Sequence, residues 1–227
     1  MKDVQVDVCV LDAWHPEDPA LVNSHWIAEQ NIAALRRACP GAALVIISGA
    51  DVDRASVEAE LSKPHEGFVY LGHGREHVLY RCRDESGEPV PIVGIEQVRL
   101  LGDRWFHAFA CLSGHTLCRD AANAGAGAYL GYRVAVTVEW DVPQLPDELR
   151  VLLEDLVTAA TLELTLGQRS RSAIRRRVRD ASDRLLDWLD SHEHAVEMLH
   201  WKDLTGLQML ASLLHQRLEL EGTTVLP

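Results

Sequence analysis

Two residues sit where a reactive group would be useful: Cys111, in Ala110-Cys111-Leu112-Ser113-Gly114, and His73, in Leu71-Gly72-His73-Gly74. Each follows a short apolar run that reads as a strand. A thiol needs a neighbouring base or an electropositive site to become a thiolate near neutral pH. Imidazole suits that work because its ordinary pKa lies near neutrality. The two residues are far apart in the chain, so only a fold that sets their strands side by side can pair them. In open α/β sheets, ligands bind at the carboxyl ends of the strands. The glycine after His73 leaves a backbone N–H accessible, and with the amide of Cys111 it could hold the oxyanion of a tetrahedral intermediate. Taken singly, the histidine motif is an ordinary tight turn and the cysteine a small buried apolar residue. Together, in order and each after a strand, they read as a Cys–His catalytic pair.

The remaining thiols and imidazoles read differently. Cys9 alternates with valines in a strand, and Cys118 falls in the helix after the nucleophile; both are expected in the core. Cys39 and Cys82 have no histidine-glycine context. His107 is expected as a packed core histidine. His73 and His77 would share a metal only on a helix, which the glycines argue against. His192, His194 and His200 lack metal-ligand spacing. The chain has five cysteines and no CxxC pair, which argues against a disulfide framework and a structural zinc site.

Alternating strands and helices must position the pair. Strands are expected at residues 4–11, 43–47, 67–71, 105–110 and within 127–138, with a hairpin formed by 78–83 and 90–93. Helices are expected at 24–38, 52–61 and 115–123, with one or two helical turns at 94–101. This alternation implies a mainly parallel sheet covered on both faces. Beyond Pro146 the chain reads as helical, at 149–166, 171–189 and 205–220. The arginines at 169, 171, 175, 176, 177 and 179 read as a solvated helix face paired with Asp180, Asp183 and Asp187.

Of the 227 residues, 47% are apolar, enough for a large core. A formal charge of −12 and a pI near 5.3 exclude nucleic acid as the main ligand. The N-terminal stretch carries acids where a signal peptide needs an apolar core, and no window has the apolar length of a membrane helix. The expectation is a soluble, cytoplasmic protein with no membrane partner.

A strand followed by His-Gly, then a strand followed by Ala-Cys-x-Ser-Gly, resembles the signature of caspase-like (clan CD) cysteine peptidases. The form in bacterial CHAT proteases is nearest, and AGAGAYLGYR at 124–133 resembles the segment leading into their next strand. The resemblance covers roughly residues 1–140. It implies an α/β fold, a caspase-like three-layer sandwich with a mainly parallel central sheet and C-terminal helices. Residues 1–145 would form the core with the Cys–His site, and 146–227 a helical part packed on the same domain. The implied activity is that of a cysteine endopeptidase with no cofactor and no metal. Cys111 would attack the scissile carbonyl, His73 would move the proton, and the Gly74 and Cys111 amides would form the oxyanion hole. Asp12, ending the first strand, matches an acid that contacts a basic P1 side chain in several branches; Glu139 and Asp141 follow the last strand and could face the same cleft. The implied partners are a protein or peptide substrate and an activating protein, in bacterial defence or regulated death. Phe109 and Leu112 depart from the Q-A-C-[RQG]-G pattern of true caspases, which argues against a P1 aspartate. Two rival readings are a non-catalytic scaffold of the same fold and a nucleotide binder, the latter lacking any GxGxxG or GxxxxGK[ST] motif after a strand.

Overall fold

The structure, a computed structural model, describes residues 7–83, 85–136 and 140–226. Strands β1 (Asp7–Asp12), β2 (Ala43–Ser48), β3 (Gly67–Leu71), β7 (Trp105–Phe109), β8 (Ala128–Tyr132) and β9 (Leu218–Glu221) form one sheet in the order β2-β1-β3-β7-β8-β9. All neighbours run parallel except β8 and β9. A second sheet joins β4 (His73–Arg75), β5 (Val78–Arg83) and β6 (Pro89–Val93), antiparallel. Of the expected first strand, residues 4–6 lie outside the described residues, as do 137–138 of the last one.

Burial explains why the central strands are apolar at nearly every position, with His107 of β7 held by hydrogen bonds. Val8, Val10, Val69, Leu71 and Phe109 point into one layer, and Cys9, Leu11, Phe68, Tyr70 and Phe106 into the other. A parallel sheet covered on both faces needs apolar residues at nearly every position. The first layer is filled by α1 (Pro19–Ala38), α5 (Asp147–Thr165), α6 (Arg171–Ser191) and α8 (Trp201–Leu214); α7 (Glu193–Glu197) lies between the last two. The second is filled by α2 (Arg54–Leu61), α3 (Ile95–Val98) and α4 (Thr116–Asn123). This is a three-layer α/β sandwich with a mainly parallel central sheet. Each fully buried leucine or phenylalanine in these layers contributes about 1.5–3 kcal/mol.

The expected last helix is shorter than its pattern. It ends at Leu214, and Leu218–Glu221 forms β9, with Leu218 and Leu220 buried and Glu219 and Glu221 half-buried. Leu210, Leu214 and Leu218 satisfy a helical spacing, but Leu218 and Leu220 also satisfy the two-residue period of a strand, and pairing with β8 decides. The arginines of α6 are also used differently from the expectation. Arg171 and Arg175 donate to the Leu220 and Leu218 carbonyls at 2.7–3.0 Å, covering the open edge of the sheet. Arg177 and Arg184 pair with Asp155.

Among the described residues no helix is long and apolar enough to cross a membrane.

Candidate active site

Strands β3 and β7 are adjacent, with Leu71 level with Phe109. Their carboxyl ends therefore deliver the two motifs to one place. The cysteine loop is shaped by its own residues. Leu112 adopts a left-handed conformation, φ 56°, which costs a non-glycine residue energy and needs support from its surroundings. Ser113 supplies that support. Fully buried, its hydroxyl reaches the Ala108 and Ala110 carbonyls at 3.0 and 2.8 Å and accepts from the Tyr132 amide at 3.2 Å. A Cβ on Gly114 would stand 2.8 Å from the Tyr132 nitrogen, so only glycine lets the loop lie against β8. The Ser-Gly of the motif is thus a brace for the thiol.

The histidine motif is equally constrained. His73 lies not at the end of β3 but two residues beyond, at the start of β4. A Cβ on Gly72 would meet the Tyr70 hydroxyl at 2.5 Å and Ala13 Cβ at 2.8 Å; one on Gly74 would meet the Cys111 carbonyl oxygen at 2.5 Å and Ala110 Cβ at 2.9 Å. The backbone beside His73 therefore packs directly on the backbone of the cysteine loop. Gly74→Ala is expected to push β4 off that loop and lower turnover by about 100-fold, the usual effect of a shift near 1 Å between reacting groups. Turnover assays beside a thermal melt check this.

The imidazole is held on two sides. Its face stacks on Tyr80, with ring centres 5.2 Å apart, and Nε2 lies 2.7 Å from Asp18 Oδ2. A carboxylate accepts only, so Nε2 donates the proton in this pair. Asp18 also caps α1, accepting from the Ala20 amide at 3.0 Å. Burial works against its charge, but the hydrogen bond and charge of His73, with the Ala20 and Leu21 amides, prevail and hold the carboxyl below its ordinary range. The helix expected from residue 24 begins at Pro19, so the sequence reading leaves Asp18 in the preceding loop, and its pairing with His73 has no local signal.

The thiol is in a resting arrangement. Cys111 is half-buried, Sγ accepts from the Val136 amide at 3.3 Å and lies 3.8 Å from the Val136 carbonyl oxygen, and among the described residues no hydrogen bond joins it to His73. Burial pushes the thiol pKa up, with the Val136 and Cys111 amides acting in the opposite direction. The sequence suggests an exposed, base-assisted thiol; the segment after β8 covers it instead. Iodoacetamide is therefore expected to label Cys111 slowly at neutral pH and faster as pH rises, whereas buried Cys9 and Cys118 stay unlabelled. Mass spectrometry of timed samples checks the order.

The proposed substrate-binding residues separate. Asp141 lies with Asp18 on a cavity of about 1020 Å³, also lined by Trp140, His200 and Asp203. Its amide donates to Asp203 Oδ1 at 3.0 Å. Asp12 is outside that cavity. It is 2% exposed, and His25 Nδ1 of α1 and Ser48 Oγ at the end of β2 hold Oδ2 at 2.5 and 2.7 Å. Glu139 lies outside the described residues. His107, read as a core histidine, is fully buried between Thr161 and Tyr132, and burial lowers its pKa to about 3.

No family model and no curated protein match this sequence. Solved structures do. The crystal structure of the Arg-specific cysteine proteinase gingipain R is similar over 99% of this chain and 48% of that chain, with 14% identity and a TM-score of 0.52. A complex of Porphyromonas gingivalis RgpB pro- and mature domains is similar over 96% of this chain and 47% of that one, with 11% identity and a TM-score of 0.48. A secreted C11 cysteine protease from Bacteroides thetaiotaomicron, in complex with an irreversible peptide inhibitor, is similar over 73% of this chain and 60% of that one, with 12% identity and a TM-score of 0.41. The chain spans about half the length of the gingipain chains, and at these identities the likeness is one of fold, the caspase-like sandwich.

Proposed function

We propose that this chain is a cysteine endopeptidase in which Cys111 is the nucleophile, His73 the base and Asp18 the group that orients the histidine. The observation that carries the reading is the packing of the His73-Gly74 backbone on the Cys111 carbonyl, with the imidazole fixed by a carboxylate on Nε2. With Nε2 protonated, Nδ1 is the atom left to take the thiol proton. The thiolate adds to the scissile carbonyl, and His73 returns the proton to the leaving amine. The Gly74 and Cys111 amides bind the oxyanion, which is the largest single contribution in reactions of this kind. Water then hydrolyses the thioester.

The substrate is a protein or peptide, cut after a basic residue. Among the described residues, three carboxylates on the cavity beside Asp18, those of Asp18, Asp141 and Asp203 against Lys202 alone of the lysines and arginines, support that preference, because a carboxylate attracts a cation and repels an anion. Asp141 is the residue of the original three that this cavity favours; Asp12 would act only by leaving His25 and Ser48. Covering of the thiol by the Val136 segment supports a requirement for an activating protein partner or for the substrate itself to open the site. A defence role, implied by the CHAT resemblance, is tested by finding the natural substrate.

A peptide library tests the reading. Wild type is expected to cleave after Arg or Lys. Asp141→Asn is expected to lose about 10- to 100-fold in kcat/KM on those substrates, the effect of one charge-assisted hydrogen bond. Cleavage after apolar residues would displace the pocket assignment and leave the nucleophile in place. Absence of any Cys111-dependent cleavage, with and without cell extract as a source of activator, would favour the non-catalytic scaffold.

A further inference from the structure

At the opposite end of the sheet from Cys111, three elements bring a thiol, an imidazole and a carboxylate together. Cys9 comes from β1, Glu60 from the last turn of α2, and His65 from the loop entering β3. One ligand atom of each lies within 4.8 Å of the others, and all three side chains are buried. We propose that Cys9, Glu60 and His65 form a zinc site.

The protein-only arrangement leaves something unsatisfied. His65 is 7% exposed; Nε2 is 2.8 Å from Glu60 Oε2, but Nδ1 is buried with no hydrogen-bond partner. A buried ring nitrogen without a partner is the exception in folded proteins. The Cys9 thiol is sealed in the core, fully buried. A divalent cation would take one ring nitrogen of His65 and the Glu60 carboxylate and replace the Cys9 thiol proton, which is released to solvent.

The donor set selects the metal. One thiolate, one imidazole and one carboxylate suit Zn²⁺ and are too soft for Mg²⁺ or Ca²⁺. Tetrahedral zinc with bonds of about 2.0–2.3 Å sets its ligand atoms roughly 3.3–3.6 Å apart. From the limit of 4.8 Å, a pair of these groups closes by at most about 1.2–1.5 Å to reach that spacing. Lys63 holds Glu60 Oε1 at 2.6 Å from a half-exposed position and can swing into solvent. His65 and Lys63 also line an open cavity of about 690 Å³, so the His65 side of the site is the one nearest solvent. Bound there, zinc would tie the entry of β3 to β1 and α2, away from the catalytic groups.

Cobalt(II), which absorbs where zinc is silent, tests the proposal. Metal-stripped full-length protein is titrated with Co²⁺. The expected result is one equivalent bound with a near-ultraviolet thiolate-to-cobalt band, bleached by Zn²⁺. The band should persist in Cys111→Ala and disappear in Cys9→Ala. Cys9 lies in a core strand, so His65→Gln is the second variant; it is expected to weaken binding at least about tenfold. Zn²⁺ should raise the melting temperature of wild type and not of His65→Gln. Absence of a thiolate band in wild type would overturn the site. So would a band that survives in Cys9→Ala and vanishes in Cys111→Ala.

Discussion

Replacing Cys111 by alanine is expected to reduce peptide hydrolysis at least about a thousandfold while leaving the fold intact. Removing a nucleophile that acts with a base typically costs three or more powers of ten in kcat, on the order of 4 kcal/mol of transition-state stabilisation. The structural effect is small. The thiol is half-buried and its interactions with Val136 are long, at 3.3 and 3.8 Å. Such a change shifts stability by about 1 kcal/mol or less. Single-turnover assays beside a thermal melt separate the two. Activity that persists in Cys111→Ala would end the peptidase assignment, because hydrolysis would then not need this thiol. Loss of activity with a collapsed melting temperature would be uninformative in this variant, and Cys111→Ser then repeats the test with a nearly isosteric side chain.

The second large effect is expected from Asp18→Asn. The amide preserves size and can still cap α1, so the helix should survive. What disappears is the negative charge beside His73 at 2.7 Å, and with it both the preferred tautomer and the stabilisation of the imidazolium that forms as the thiol is deprotonated. A loss in kcat of about 100- to 10 000-fold is expected, with KM changed little, since the interaction is made in the transition state. The pH behaviour of wild type follows from the direction of the Asp18 shift. A carboxyl whose folded pKa lies below its ordinary value contributes fully above that ordinary value, and the contribution is lost only as pH falls through the lowered one. Orientation of His73 should therefore persist through mildly acidic pH in wild type and be absent at every pH in Asp18→Asn. A kcat profile for both proteins decides; equal kcat would reduce Asp18 to a helix cap.

Much of the architecture was legible because it depends on local pattern. Short apolar-rich runs such as 67–71 and 105–110, between turn signals, fit strands covered on both faces. Helical spacing in 171–189 specifies one buried stripe. The two glycine-flanked motifs were legible as strand ends, and their glycines proved to be steric requirements of a close backbone approach. The spacing of leucines at 210, 214, 218 and 220 fits both a helix and a strand, and pairing with β8 made the choice.

The site beyond its two central residues was decided by contacts between distant segments, which leave no periodic trace. Asp18 falls in an expected loop before a helix expected from residue 24, and only the fold makes it a cap and sets it against His73. Asp12 carries the right chemistry at a strand end, but its side chain is held by His25 and Ser48. Cys9, Glu60 and His65 show no metal-ligand spacing, because each arrives on a separate element and only the parallel sheet makes them neighbours. Residue type and local order determined which groups could react in this protein; the tertiary structure decided which of them meet, because charge, burial and approach are set by neighbours in space.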